Sequence, residues 1–155
     1  MALAMTDDNS RTLSLSVFYH LKTLVMPITA EAKSKIFSLL KEIMVENCPP
    51  LVQKKNSKEG IEVIGNVPAP YGYKKEIVPG MYFASALIRP GNVSFYFFPI
   101  YGAPGEFKKM APTAMKYLDG KTCFHFKKEE QVVEKEIKEL FKKGIAIYKK
   151  QGWIK

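Results

Sequence analysis

The spacing of apolar residues changes period along this chain, and each period predicts a different element. Across residues 13–25, Val17, Phe18, Leu21, Leu24 and Val25 recur at helical spacing, and Pro27 ends the run. Thr29 then predicts the cap of a second helix, with Glu31 in its first turn. Ile36, Leu39, Leu40, Ile43 and Met44 form the apolar stripe of that helix, and Lys33, Lys35, Lys41, Glu42 and Glu46 lie opposite. The Asn47-Cys48-Pro49-Pro50 run stops it.

Beyond this point strand-like runs take over. Residues 51–55 and 61–65 are short β-like segments around a polar turn at 56–60. Residues 66–80, rich in proline, glycine and tyrosine, predict an ordered loop or irregular edge strand whose tyrosines need burial. Two apolar, aromatic-rich runs at 81–88 and 92–98 flank Pro90-Gly91-Asn92 and predict a hairpin within the core of a sheet. Residues 100–120 read as a connector with short helical pieces near 106–110 and 113–117 and a breaker at Pro112. Asp119-Gly120 predicts a turn, and residues 121–126 alternate as the last strand. Glu129 and Glu130 are expected in the first turn of a final helix, whose apolar face is Val133, Ile137, Leu140, Phe141, Ile145 and Tyr148. The order predicts an α+β fold: an antiparallel sheet of about five strands with N-terminal and C-terminal helices packed on it. Residues 1–12 are expected to be a disordered N-terminal tail, and 13–155 a single α+β domain.

Composition narrows the class. An apolar fraction of 46% with 12% aromatic residues suits a folded domain with its own core. No apolar run approaches the roughly 18 residues of a membrane span, and the first residues hold an acidic pair rather than a hydrophobic block. Cys48 and Cys123 lie far apart and outside any CxxC spacing, so two reduced thiols in the cytoplasm are expected. The net charge is +9, of which residues 121–155 supply +5 through ten Lys and five Glu. This excess is Lys mixed with Glu on a helix, and only Arg11 and Arg89 supply guanidinium groups. A solvated helix face explains it better than nucleic-acid reading, which leans on Arg and a recognisable module.

Four short motifs resemble the YdhG-like family of small bacterial domains. Tyr82-Phe83-Ala84-Ser85 is similar to that family's Tyr-Phe-Ala-Ala strand. Val93-Ser94-Phe95-Tyr96, followed by Pro99, is similar to its Ile-Gly-Phe-Tyr-Pro strand. Gly120-Lys121 leading to Phe126 resembles its Gly-Lys-Gly-Thr-Ile-Arg-Phe strand, and Pro70-Tyr71 its Met-Pro-aromatic turn. The resemblance implies a sheet with flanking helices. For the members named frataxin-like intracellular iron chaperones it implies iron trafficking. The chain departs from the pattern at Asn92, where the family often has His, and at His125, where it has Arg.

Candidate chemistry is sparse. His20 and His125 are the only histidines, and neither has a His or Cys partner at ligand spacing, so no metal site or cofactor is expected. The best acidic cluster, Glu129, Glu130, Glu134 and Glu136, is interrupted by Lys127, Lys128, Lys135 and Lys138. Cys123 and His125 share a strand face, but packing of a sheet accounts for both. No nucleophile elbow, phosphate loop or HExxH motif occurs, so no catalytic residue is assigned. Tyr71, Tyr73, Tyr82, Tyr96 and Tyr101 crowd one part of the chain, and Lys74, Lys75 and Arg89 offer anion contacts beside them. The sequence therefore predicts a non-enzymatic binding module. Tyr71, Tyr73, Tyr82, Arg89 and Tyr96 are its ligand-binding residues, and a small molecule or a protein is its partner. A homodimer contact is the other use of such a patch. The alternative is a basic module docking on nucleic acid or an acidic protein through the C-terminal lysines.

Overall fold

The computed structural model describes residues 26–155. The predicted helix over 13–25, the tail before it and His20 lie outside these residues. Helix α1 (Ala30–Glu46) starts at Thr29, whose Oγ1 accepts the Ala32 amide at 3.1 Å, as the sequence predicts. Ile36, Phe37, Leu40, Ile43 and Met44 form its buried stripe. Strands β1 (Val52–Asn56) and β2 (Gly60–Ile64) follow as an antiparallel pair. A small separate hairpin pairs β3 (Ala69–Tyr71) with β4 (Glu76–Val78). The central hairpin is β5 (Tyr82–Ile88) with β6 (Val93–Phe97). A 3-10 turn (Phe98–Gly102) leads into two short helices, α2 (Pro104–Met110) and α3 (Pro112–Met115). Strands β7 (Leu118–Asp119) and β8 (Cys123–Phe126), a second 3-10 turn (Glu129–Gln131) and helix α4 (Glu134–Gln151) complete the order.

The fold class is α+β, with one antiparallel sheet of six strands in the order β1-β2-β5-β6-β8-β7. The extra strand relative to the expected five is β7, whose two residues are too few to show a period. Cross-strand partners share a face. Val93 is opposite Phe126, Phe95 opposite both Ala86 and Phe124, and Phe97 opposite Ala84, so these residues form one layer. Phe141 of α4 covers that layer, with ring centroids 6.2 Å from Phe95 and 5.7 Å from Phe97. Helix α1 packs on β5 and β6 from the same side. The core is thus an aromatic slab between sheet and helices.

Gly144 sits where α4 crosses the sheet. A Cβ there would lie 2.9 Å from Cζ of Phe83 and of Phe97, and 3.0 Å from Cγ of Pro99. Glycine is the one residue that permits so close an approach of helix and sheet here.

Two expectations are corrected. Glu129 and Glu130 do not begin the last helix: Gln131 Oε1 accepts the backbone amides of Lys127 and Lys128 at 2.6 and 3.1 Å and closes a separate 3-10 turn. The tyrosines of the 66–80 segment are not buried either. Tyr71 is half exposed and Tyr73, at the tip of the small hairpin, is wholly exposed. A short hairpin standing at the sheet margin has no second layer to cover its outer side. No helix among the described residues is long and apolar enough to cross a membrane.

Candidate functional site

The helices cover one face of the sheet, and the strand pairings lay polar rows across the other. Glu62, Ser85, Tyr96, Cys123 and Asp119 are successive cross-strand partners on β2, β5, β6, β8 and β7. Leu87, Ser94 and His125 form the next row. Tyr82 joins this face, and its hydroxyl is 2.5 Å from Ser85 Oγ. Burial pushes the Tyr82 phenol up to about 12, so it stays protonated and hydrogen-bonding at neutral pH. The Tyr82 carbonyl accepts the Tyr148 hydroxyl from α4, which ties the hairpin to the helix.

The five residues expected to bind a ligand do not converge. Tyr71 and Tyr82 line one small cleft of about 240 Å³, together with Lys54, Glu62, Ile64, Val78 and Gly80. Lys54 and Glu62 pair across its wall at 3.2 Å. Tyr96 lies beside Cys123 further along the open face. Arg89 itself is exposed in the β5–β6 turn, where its carbonyl accepts from Lys33 Nζ at 3.3 Å. Tyr73 is wholly exposed and does not line the small cleft.

A larger cleft lies where the sequence predicts only a connector. About 530 Å³ in volume, it is lined by Ile100, Tyr101, Pro104, Lys108, Met115, Leu118, Gly120 and Lys121. Its construction follows from local sequence. Pro104 and Pro112 occupy the first turns of α2 and α3, where a missing amide costs no helical bond. Phe107 anchors α2 edge-on to Phe97, with centroids 5.4 Å apart. The Glu136 carboxylate of α4 accepts the backbone amides of Thr113 and Ala114 at 3.0–3.2 Å and so caps α3. Gly120, at φ +76°, allows the tight turn that carries Lys121 to the rim. Tyr101 closes one side, edge-on to Phe98 at 5.0 Å.

The sequence named Tyr101 but missed its partners, because Ile100, Met115 and Leu118 belong to no periodic stripe. Apolar residues without a period on either side of the helix-starting Pro104 and Pro112 are the signal the sequence offers.

The acidic cluster is dispersed among structural partners. Glu129 pairs with Lys35 at 3.5 Å, Glu134 with Lys138 at 2.7 Å, and Glu136 caps α3. Among the described residues no three His, Cys, Asp or Glu side chains gather as a metal site would need. His125 Nδ1 lies 3.5 Å from Asp119 Oδ2. Burial pushes the Cys123 thiol up, the opposite of what an activated nucleophile requires.

No protein-family model, no curated protein and no solved structure matches the chain.

Proposed function

We propose that this protein is a non-enzymatic binding module that holds a small organic molecule in the cleft between the 3-10 turn, α2, α3 and the β7–β8 turn. The observation that carries this reading is the cleft itself. Its volume of about 530 Å³ falls within the roughly 300–1,000 Å³ of ordinary ligand sites, and its lining is mainly apolar with few polar groups. The tyrosine-lined cleft at Tyr71 and Tyr82, at about 240 Å³, falls below that range. Within the YdhG-like family that the strand motifs suggest, the chain is then a ligand binder rather than an iron carrier. Its setting is the cytoplasm, a reading supported by two free cysteines. The alternative, docking through the C-terminal lysines, is weakened by the pairing of Lys138 with Glu46 and Glu134 and of Lys143 with Glu106.

Saturation-transfer NMR with 1-naphthol and 1-naphthoate as probes tests the reading. At least one probe should bind the wild-type chain, and Met115→Trp and Leu118→Trp, each filling the cleft, should each abolish the signal. Absence of binding, or binding indifferent to both substitutions, overturns it.

A further inference from the structure

Charge around the cleft restricts what it takes. Its lining contains two charged side chains, Lys108 on α2 and Lys121 in the β7–β8 turn, and no carboxylate. Among the described residues neither ammonium group lies in an ion pair, while nearby Lys143 is held by Glu106 at 2.6 Å. Two cations with no carboxylate partner among the described residues thus rise from different elements on the rim of one apolar hollow. Ile100, Pro104, Met115 and Leu118 supply the hydrocarbon floor, and the Tyr101 ring forms a wall.

We infer that the ligand is a small organic anion with an aromatic or aliphatic body, whose charged head meets Lys108 and Lys121 while its body lies on the apolar floor. This rests on the binding role proposed above and names the chemical class that fills it. The cleft's volume of about 530 Å³ lies within the roughly 300–1,000 Å³ of small-molecule sites, so a body of one or two rings fits. A neutral ligand would gain the same apolar burial but leave the two ammonium groups without a counter-charge. An ammonium is a compact point charge and does not require the planar bidentate geometry of a carboxylate, so a carboxylate and a phosphate monoester share the required chemistry.

Titration calorimetry with 1-naphthoate, 1-naphthyl phosphate and neutral 1-naphthol tests this. The anions should bind wild-type protein on the order of tenfold more tightly than the alcohol, a gap equal to about 1.4 kcal/mol. Whichever anion binds more tightly identifies the head group. Lys108→Ala and Lys121→Ala should each weaken anion binding roughly threefold and leave naphthol unchanged. Lys→Arg at either position should restore anion binding, and circular dichroism of each variant checks that it folds. If naphthol binds as tightly as the anions, or the lysine variants bind anions normally, the anion class is refuted while the binding role stands. If no probe binds, both fall.

Discussion

Gly144→Ala sets two effects of known size against each other. In an open helix the change should stabilise by about 1 kcal/mol, the usual difference in helix propensity. Here the added methyl would meet three buried groups at 2.9–3.0 Å. Phe83 cannot swing aside easily, because its ring also packs on Phe141 and Tyr148 with centroids 5.4 and 4.9 Å away. Phe97 is held likewise by Phe107 and Phe141. Overpacking a core of this kind costs about 1–3 kcal/mol, and contact on three sides places this site at the upper end. The net expectation is a loss of about 1–2 kcal/mol. With a urea m-value on the order of 2 kcal/mol/M, the unfolding midpoint should fall by roughly 0.5–1 M. Trp153 is the natural reporter, since it packs edge-on to Tyr148 at 5.0 Å. Ala146→Gly, at an exposed position of the same helix, isolates the propensity effect and should cost about 1 kcal/mol. A rise in the midpoint for Gly144→Ala would refute the packing described for α4 on the sheet.

Two further outcomes follow from the same geometry. Glu136→Ala removes the acceptor for the Thr113 and Ala114 amides and should cost about 1–2 kcal/mol in urea unfolding, with Glu136→Gln losing less; equal stability of all three proteins would contradict the cap. Alkali should also destabilise the fold. The folded-state pKa values of Tyr82 and Tyr148 are raised, chiefly by burial, above an unfolded value near 10, so their contribution is complete below about pH 10. It is lost as pH rises towards and beyond about 12, the folded value of Tyr82. A thermal-unfolding series should show this decline, and Tyr82→Phe should flatten it; an unchanged slope in that variant would contradict the assignment.

The elements that the sequence foretells are those whose own residues carry the signal. Thr29 announces its helix because the cap is local, and the two runs around Pro90-Gly91-Asn92 announce the central hairpin because both strands are rich in apolar and aromatic residues. The early start expected for the last helix fails at Gln131, whose side chain competes for backbone amides in a way that charge order does not reveal. The tyrosines of the small hairpin mislead for a different reason. Residue type says that Tyr73 has an apolar body, but only the position of the hairpin tip decides whether anything covers it. The cleft is the least legible feature, since its lining comes from four elements spread over residues 100–121, one of them capped from α4 by Glu136. None of the five residues expected to bind a ligand lines that site; Tyr101, noted only among the crowded tyrosines, does.

The cleft beside Tyr101 is the proposed meeting point of this protein and its ligand. Amide chemical-shift mapping of the isotopically labelled chain during titration with 1-naphthoate tests it most directly. Saturable shifts should concentrate on residues 98–122, with residues around Tyr71 and Tyr82 unmoved. Saturable shifts centred on Tyr71, Tyr82 and Tyr96 instead, or no saturable shifts at all, would contradict it.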